Sequence, residues 1–365
     1  MLLLYLILLL PLIVYAIKLT GWYIRWTKEV EFTVKGDSKA GVSLIIPFKD
    51  EAHNMQQLIG SLKNQTIGTW ELILINDHST DNGSSIAKTL LRNCHIDSRI
   101  INAENLGKKA ALLQGVKLAK YELIVTTDAD CTFHKDWLNT LSTFHSSRNV
   151  DLIIAPVTIK RTKGFLSRFQ QIDFAALQLS GAAAALQNKA IMCNGANIMC
   201  KKELYLKAQL QPQIASGDDM FLLEWMKSQH KKIAFIKSKQ VLVQTEPVHT
   251  CIGFLQQRAR WAAKAPRYRD KHIITTGLMV SSLNLMIFAA LTGGIWLPAL
   301  WAVAGVSIMV KSIWDYLLLQ SGSKDLNFNI TFFEVLLLQL LYPVYVISVL
   351  IFPAFNTIQW KSRTI

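Results

Sequence analysis

Residues 42–51 read VSLIIPFKDE, an apolar run that ends in charged residues. Three further apolar runs follow, at 71–76 (ELILIN), 99–102 (RIIN) and 122–127 (ELIVTT). Stretches with a helical pattern lie between the runs, at 54–64, 82–92 and 108–120. Continuous β-branched runs separated by amphipathic helices indicate a parallel sheet that is covered on both faces. We therefore expect an α/β domain with a doubly wound, mostly parallel sheet.

Acidic residues follow three of these runs, at 48–51, 77–81 and 128–130. In doubly wound sheets, ligands bind beside the carboxyl ends of the strands. A single acidic residue at such a position often caps the next helix, and this is the interpretation that we favour for Asp81. Three acidic strand ends in one domain instead predict a shared site.

Asp128 and Asp130 are the most informative of these residues. Residues i and i+2 at a strand end project to the same side. Two carboxylates held so close repel each other, so the pair indicates a hard divalent cation. Mg²⁺ and Mn²⁺ suit such a site, because one or two carboxylates hold them together with substrate phosphates. The cation would act as a Lewis acid on a leaving diphosphate.

Residues 105–113 read NLGKKAALL, a glycine turn that opens into a helix. The backbone N–H groups at a helix start favour anions. Lys108 or Lys109 is then placed to reach a phosphate or a base carbonyl. The alternative is that both lysines are solvated surface groups.

Residues 216–223 read SGDDMFLL and begin another predicted helix. Asp218 is a candidate for the N-cap of this helix. Asp219 is then a candidate general base, because group transfer to a hydroxyl needs a carboxylate that accepts the proton.

Residues 257–261 read QRARW, in a basic stretch that precedes a long apolar segment. Composition alone favours a juxtamembrane anchor, with Trp261 at the level of the lipid headgroups. The functional alternative places Arg260 on a diphosphate and the indole of Trp261 under an acceptor sugar.

Apolar residues make up 51% of the chain and are concentrated towards its two ends. A membrane span needs ~20 apolar residues, and the candidate segments are 2–17, 274–292, 295–310 and 332–352. The third segment is short and is followed by Lys311 and Asp315. We expect it to end at the membrane interface or to pair tightly with the second segment.

The N-terminal segment lacks the basic start and the cleavage site of a signal peptide. Lys18, Arg25 and Lys28 follow it, and positive charge prefers the cytoplasmic side. We therefore favour an uncleaved anchor, with the middle domain in the cytosol. Five scattered cysteines fit a reducing compartment. Three C-terminal spans would put Lys361 and Arg363 outside, so a re-entrant or interfacial segment stays an alternative.

The net charge of +14 requires an anionic partner or surface. No recognition motif for nucleic acid is found in the sequence. An anionic cytoplasmic leaflet explains the charge, and the same charge would attract a diphosphate substrate. We predict a membrane as partner and no nucleic acid.

The motif segments together resemble the family 2 glycosyltransferases of the GT-A fold, which include cellulose, chitin, hyaluronan and poly-N-acetylglucosamine synthases. The resemblance rests on residues 42–51, 75–83 (INDHSTDNG), 105–119 (NLGKKAALLQGVKLA), 126–131 (TTDADC) and 257–261. The resemblance and the apolar segments together predict four parts: a transmembrane anchor (1–24), a cytosolic GT-A domain (40–265), a transmembrane region of about three segments (273–355) and a basic tail (356–365).

The resemblance also implies roles for single residues. The nucleotide-sugar would contact Glu51, Asp77, Lys108, Asp128 and Arg260. Asp130 would bind the metal directly, and Asp219 would be the general base. Gln257, Arg260 and Trp261 match the Gln-x-x-Arg-Trp signature of the family, so Gln257 and Trp261 would bind the acceptor. Asp218 stands where the family usually has Glu, next to the base, and would also contact the acceptor.

The activity implied by the resemblance is an inverting transfer from a nucleotide-sugar, expected to be a UDP-sugar, with Mg²⁺ or Mn²⁺. The acceptor would be a polysaccharide or a lipid-linked molecule at the cell membrane, in a multi-pass protein; partner subunits for export stay an alternative. The small membrane portion leaves open a transferase that adds a single sugar to a lipid. A third hypothesis is a catalytically silent protein that binds nucleotide-sugar.

Residues 163–190 form a long, largely apolar helical stretch with few charges. A buried core helix is one interpretation. The family resemblance favours the other, an interfacial helix that brings the acceptor to the site. Residues 194–197 (NGAN) would then form a turn into the acceptor region.

Overall fold

The computed structural model describes residues 9–34, 36, 38–92, 94–208, 210, 217–355, 359–360 and 363–364. Residues 1–8 of the predicted anchor, Ser216 and most of the predicted basic tail lie outside these ranges. The chain divides into two compact units. The sheet unit comprises Val30–Lys160 and Met192–Glu246, and the helical unit comprises Met1–Glu29, Arg161–Ile191 and Pro247–Ile365. The domain boundaries given above remain a prediction.

The sheet unit is built on a seven-stranded sheet. Its strands are β1 (Val42–Phe48), β2 (Trp70–Asn76), β3 (Asp97–Asn102), β4 (Leu123–Thr126), β5 (Leu152–Ile154), β7 (Ile198–Lys201) and β8 (Ile233–Phe235). The spatial order is β3-β2-β1-β4-β7-β5-β8. Only β7 runs antiparallel to its neighbours, β4 and β5. Two short strands, β6 (Val157–Ile159) and β9 (Val243–Thr245), pair in parallel in a separate sheet.

Helices connect these strands. They are α2 (Met55–Leu62), α3 (Gly83–Arg92), α4 (Lys108–Leu118), α5 (Trp137–Arg148), α7 (Lys202–Lys207) and α8 (Asp218–Ser228). Every residue of β1 is buried, because a parallel strand in such a sheet is covered on both faces. The mostly parallel sheet with its connecting helices confirms the predicted α/β fold class.

The strand order has a switch point beside β1. The chain passes from β1 to β2 and β3 on one side, and β4 then returns to pair with the other side of β1. Ligands of such sheets bind at a switch point, outside the carboxyl ends of the strands. The fold therefore singles out the residues that follow β1 and β4.

Helix α4 lies unusually close to the sheet because of Gly115. A Cβ atom at this position would stand 2.3 Å from Cδ1 of Ile75 and 2.6 Å from Cγ2 of Ile45. These two isoleucines belong to β2 and β1. The close approach of α4 to the sheet determines how near the N-terminus of this helix, which carries Lys108, lies to the carboxyl ends of the strands.

The helical unit contains α1 (Leu10–Lys28), α6 (Phe165–Leu186), α9 (Cys251–Ala262), α10 (Lys271–Gly293), α11 (Ala299–Gly322) and α12 (Phe332–Phe355). Among the described residues, three helices are long and apolar enough to cross a membrane: Lys271–Gly293, Ala299–Gly322 and Phe332–Pro353. Gln359–Trp360 and Arg363–Thr364 form a short antiparallel pair, β10 and β11.

Helix α1 packs within this unit along one face. Its buried residues are Leu12, Tyr15, Leu19, Trp22 and Trp26, which recur every three or four positions, as expected for one face of a helix. This face contacts α6, α10 and α11. The helix also extends beyond the predicted apolar segment, as far as Lys28.

Of the two alternatives for the segment at 295–310, tight pairing with the second segment is confirmed, because Val303 and Ala304 of α11 pack against Ala290 of α10. The helix does not end at residue 310 but continues through Lys311 and Asp315 to Gly322. The Nζ atom of Lys311 lies 2.7 Å from Oδ2 of Asp315 and 2.8 Å from Oε1 of Gln339 on α12. Charged side chains among apolar helices pair with one another, and this pairing lets the helix continue past both residues.

Helix α6 corresponds to the predicted helical stretch at 163–190, and most of its residues are buried. It packs against α1 and α11. The structure therefore favours the core-helix interpretation over an interfacial one.

We predict that Gly115→Val destabilises the sheet unit by about 1–3 kcal/mol, because the new side chain overpacks the contact with Ile75 and Ile45. The matched control is Gly60→Ala in the exposed part of α2, where an added Cβ has no neighbour within 4 Å. Alanine is favoured over glycine in a helix by about 0.5–1 kcal/mol. Thermal unfolding of the purified protein should therefore move in opposite directions for the two variants. An unchanged midpoint for Gly115→Val would contradict the close approach of α4.

Candidate active site

The loops after β1 and β2 are held together by two aspartates. Oδ1 of Asp50 accepts a hydrogen bond of 2.7 Å from the backbone N–H of Thr80. Oδ2 of Asp81 accepts one of 2.7 Å from the backbone N–H of Ala52, and its Oδ1 accepts one of 3.0 Å from Gly83, the first residue of α3. The backbone N–H of Thr80 lowers the pKa of Asp50. Both carboxylates are structural, and Asp81 supports the start of α3 as expected.

Asp77 lies at the end of β2 and is only 2% exposed. Its Oδ1 accepts a hydrogen bond of 2.9 Å from the backbone N–H of Gly107. Gly107 has a φ of 108° and precedes α4, a conformation that favours glycine. Asp77 thus fixes the turn that carries Lys108, and its predicted contact with a nucleotide remains a prediction.

The two lysines at the start of α4 have different surroundings. The Nζ atom of Lys108 lies 2.5 Å from Oδ1 of Asp128. The Nζ atom of Lys109 instead donates to the carbonyl oxygen of Leu210 at 2.8 Å and lies 4.9 Å from the ring centroid of Phe221. Of the two alternatives left open by the sequence, the structure therefore brings Lys108 to the acidic residues.

Lys108 is the cation of this site. Burial lowers the pKa of its ammonium group, but the carboxylates of Asp128, Asp218 and Asp219 outweigh burial and raise the pKa above its usual range. The side chain therefore remains protonated at neutral pH, and it offsets negative charge from two different loops.

Asp130 stands in a more crowded acidic environment. Burial, followed by repulsion from Asp128, raises the pKa of Asp130 to about 6, and Glu51 adds to the rise. The hydroxyl of Thr245 at the end of β9 donates to Oδ2 of Asp130 at 2.9 Å, and this hydrogen bond opposes the rise in the pKa of Asp130. Glu51 accepts a hydrogen bond of 2.6 Å from the side chain of Asn54. The predicted residues Glu51 and Asp128 are thus both close enough to Asp130 to repel it.

This donor set fits a divalent cation that is shared with a substrate. In the described part of the chain, no group of three or more His, Cys, Asp or Glu side chains forms a complete metal site. Mg²⁺ and Mn²⁺ do not need one, because they are commonly bound by one or two carboxylates and the phosphates of a substrate. The repulsion at Asp130 is the kind that a bound cation relieves.

Asp218 and Asp219 are the first two residues of α8. The N-cap is Gly217, with a φ of 87°, so the predicted N-cap role of Asp218 is wrong. The glycine adopts a left-handed conformation, and the buried Asp218 therefore starts the helix itself. Burial raises the pKa of Asp218, Lys108 opposes the rise, and Asp219 and Asp128 add to it.

Asp219 is oriented by main-chain groups. Its Oδ2 accepts a hydrogen bond of 3.1 Å from the backbone N–H of Gly195, and its Oδ1 accepts one of 2.8 Å from Met220. The turn that contains Gly195 is attached to the end of β4, since Thr126 donates to the carbonyl oxygen of Gly195 at 2.9 Å. Asp219 and the strand that leads to Asp128 are therefore positioned by the same turn.

Electrostatic interactions connect six of the predicted residues within the sheet unit: Glu51, Lys108, Asp128, Asp130, Asp218 and Asp219. Asp77 bonds to the backbone of Gly107, the residue before Lys108. Gly195 belongs to the turn predicted at 194–197, but its contact with Asp219 was not predicted, because it is made by the backbone. Thr245 was not predicted either, because it ends a three-residue strand without a motif.

The other predicted residues, Gln257, Arg260 and Trp261, belong to the helical unit. All three lie on α9 and are half-buried. The residue between them, Arg258, is buried and forms an ion pair of 2.8 Å with Asp173 on α6. The roles of Gln257, Arg260 and Trp261 in binding remain predictions.

Comparison with known proteins identifies residues 43–208, most of which lie in the sheet unit. Residues 43–208 match Glycosyl transferase family 2. They form a family 2 glycosyltransferase domain. The match includes β1, β2 and β4 with the acidic residues that follow them. The resemblance found in the sequence motifs is thereby confirmed.

Two relatives of this glycosyltransferase domain carry the name poly-beta-1,6-N-acetyl-D-glucosamine synthase. The protein from Staphylococcus epidermidis is 27% identical over 139 residues, which are 38% of this chain and 33% of that protein. The protein from Staphylococcus aureus strain COL is 23% identical over 165 residues, 42% of this chain and 39% of that protein. The chain thus spans little more than a third of the length of these relatives.

A solved structure resembles this chain in fold. The mannosyltransferase PcManGT from Pyrobaculum calidifontis, solved in complex with GDP-Man and Mn²⁺, superposes with a TM-score of 0.58 over 94% of this chain and 95% of that one. The sequences are 16% identical, so the likeness shows the fold alone. It agrees with the predicted GT-A fold.

We predict that Lys108→Met weakens binding of a nucleoside diphosphate to the glycosyltransferase domain, because the variant removes the cation that the acidic loops surround. A hydrogen bond to a charged group contributes about 1.5–3 kcal/mol, so the dissociation constant of UDP or GDP should rise about 10- to 100-fold. Titration calorimetry with Mn²⁺ present measures the change. The control is Lys117→Met, which removes an exposed lysine from the same helix. Equal affinities for the two variants would remove Lys108 from the binding site.

Proposed function

We propose that this protein is a membrane-bound inverting glycosyltransferase that moves a sugar from a nucleotide-diphosphate sugar, preferentially a UDP-sugar, to a hydroxyl of a polysaccharide or lipid-linked acceptor. The observation that carries the proposal is the meeting of Asp128, Asp218 and Asp219 around the protonated Lys108, with Asp130 next to Asp128. This cluster lies at the switch point of a family 2 glycosyltransferase domain.

The donor half of the proposed site uses the residues beside β1, β2 and β4. Asp130, with Asp128, would hold Mg²⁺ or Mn²⁺, which supplies positive charge to the leaving diphosphate when bound. Lys108 adds a second positive charge from the protein itself. Glu51 and Asp77 would bind the nucleoside part of the donor, as the family resemblance implies.

The acceptor half uses Asp219 as general base. The hydroxyl oxygen of the acceptor attacks the anomeric carbon, its proton passes to the carboxylate of Asp219, and the nucleoside diphosphate leaves with the electrons of the broken bond. A single displacement of this kind inverts the configuration at the anomeric carbon. The hydrogen bonds from Gly195 and Met220 hold the carboxylate in one orientation, which favours proton transfer along a defined direction.

The remaining roles follow the family resemblance. Arg260 would contact the donor diphosphate, while Asp218, Gln257 and Trp261 would contact the acceptor. The three helices that are able to cross a membrane support a membrane location. A multi-pass arrangement in the cell membrane, a cytosolic glycosyltransferase domain and partner subunits for export are further parts of the proposal.

The proposal covers two activities, that of a polymerising synthase and that of a transferase that adds a single sugar. The names of the two staphylococcal relatives favour a polymer, whereas three candidate spans make a small membrane portion. Purified protein should be screened with UDP- and GDP-sugars for release of the nucleotide, and the product should then be sized. A ladder of products identifies a synthase, and one lipid-soluble product identifies a single transfer. Absence of nucleotide release with every donor and acceptor would favour the silent binding protein.

For the general base, we predict that Asp219→Asn lowers turnover about 10²- to 10⁴-fold, the usual contribution of general base catalysis. Binding of UDP should change little, because the amide has the same shape and the donor residues remain. Steady-state kinetics and calorimetry measure the two quantities. Glu203→Gln, in the exposed part of α7, serves as the control for loss of one negative charge. Full activity of Asp219→Asn would eliminate the proposed base.

For the cation, we predict that Asp130→Asn abolishes turnover and the dependence of UDP binding on Mn²⁺. The amide is a poorer ligand and no longer carries the charge that attracts the cation. Asp97→Asn is the matched control, because Asp97 is exposed and begins β3 at the amino end of the sheet. Calorimetric titration of UDP with and without Mn²⁺ tests the prediction. An unchanged metal dependence would exclude Asp130 as a ligand.

A further inference from the structure

Helix α9 contains a buried charge that the family signature does not include. Arg258 lies between Gln257 and Arg260, yet it is only 4% exposed, whereas both neighbours in the signature are half-buried. An arginine is almost never fully buried unless it is paired. Its position inside the helical unit therefore requires an explanation.

The partner of Arg258 is Asp173 on α6. The Nη2 atom of Arg258 lies 2.8 Å from Oδ2 of Asp173, and both side chains are 3% exposed. The hydroxyl of Tyr342 on α12 donates to Oδ1 of Asp173 at 2.7 Å. One ion pair with one further hydrogen bond thus joins α9 to α6 and to a helix that is apolar enough to cross a membrane.

Aromatic rings surround the guanidinium group on its other sides. Its central carbon lies 4.4 Å from the ring centroid of Trp261, 5.0 Å from that of Phe254 and 5.9 Å from that of Phe174. Arginine stacks on aromatic faces because its charge is spread over a plane. The contact with Trp261 is the shortest of the three, and the centroid of Trp261 also lies 6.3 Å from that of Phe174. The indole of Trp261 therefore packs on the guanidinium group of Arg258, which is paired with Asp173.

Stability alone is a poor reason for this arrangement. Apolar residues of similar volume often replace a buried ion pair without loss of stability, whereas removal of one partner is strongly destabilising. The 2.8 Å contact between Arg258 and Asp173 is an ion pair without hydrogen-bond geometry, since the three nitrogen atoms of the Arg258 side chain have no hydrogen-bond partner among the described residues. The carboxylate, which Tyr342 holds by its hydrogen bond, and the three rings therefore confine the guanidinium group by charge and packing, and its contact with Trp261 limits the orientations of the indole.

We propose that Arg258 is a positioning residue: held by Asp173 and Tyr342, it fixes the ring of Trp261 in the orientation in which an acceptor sugar packs on it. The inference rests on the proposed function, since it presumes that Trp261 binds the acceptor. It adds that Asp173 on α6 and Tyr342 on α12 determine the orientation of Trp261 through the buried ion pair with Arg258.

The test replaces both partners. Arg258→Met alone leaves the carboxylate of Asp173 buried and unpaired, so the variant is at risk of unfolding. The double variant Asp173→Leu/Arg258→Met fills similar space with apolar groups and should fold. The matched control is Arg168→Met/Glu334→Leu, which removes an ion pair of 2.8 Å that also starts from α6 and ends on α12.

We expect the Asp173→Leu/Arg258→Met variant to lower kcat/KM for the acceptor about 10- to 100-fold, the effect of misplacing a reacting group by a small distance. The dissociation constant of UDP and the melting temperature should stay close to those of the wild type. The control pair should retain its kcat/KM for the acceptor. Wild-type acceptor kinetics in a folded Asp173→Leu/Arg258→Met variant would overturn the proposal.

A second measurement does not depend on activity. Hydroxyl-radical oxidation of Trp261, quantified by mass spectrometry of its peptide, should increase in the Asp173→Leu/Arg258→Met variant and remain unchanged in the control pair. Unchanged oxidation in both would show that Arg258 does not position the ring. If the wild type releases no nucleotide with any donor, the proposed function fails, and the oxidation of Trp261 still decides whether Arg258 orients the indole.

Discussion

Repulsion between carboxylates at the switch point is the constraint around which the sheet unit is organised. Two of these carboxylates, Asp128 and Asp130, follow β4, and two, Asp218 and Asp219, begin α8. Their negative charges repel one another unless a positive charge compensates them. Lys108 is the compensating cation on the protein, 2.5 Å from Asp128. Its placement depends on the close packing of α4 at Gly115 and on the hydrogen bond from Gly107 to Asp77. Two glycines without charge, Gly107 and Gly115, thus help to bring the positive charge of Lys108 to the carboxylates.

The strands that carry the donor side were predictable because they are buried on both faces. The runs at β1, β2 and β4 are largely apolar, with Ser43 and Glu71 near the start of the first two, and the acidic residues follow these runs. Strands β5, β6, β8 and β9 contain three residues each, which is too short for any periodicity to be recognised. The antiparallel β7 was not predictable either, since its direction depends on pairing with strands far away in the chain.

Interactions between distant residues explain the rest of the differences. The end of α11 was misplaced because the sequence shows two charges at 311 and 315, but not Gln339, which satisfies them from another helix. The ion pair of Arg258 and Asp173 joins residues 85 positions apart, and the signature at 257–261 leaves the position of Arg258 unspecified. The choice between Lys108 and Lys109 likewise needed the structure, because adjacent residues of a helix differ only in the side to which they point.

The hydrogen bonds that orient Asp219 come from the backbone of Gly195 and Met220. A main-chain donor does not depend on the side chain of its own residue, so the direction of the carboxylate depends on the shape of this turn. The turn is itself fixed by Asn197, whose buried amide group donates to the carbonyl oxygens of Pro156 and Val241 at 2.7 Å each. Exchange of Asn197 would therefore disturb the proposed base without any direct contact to it.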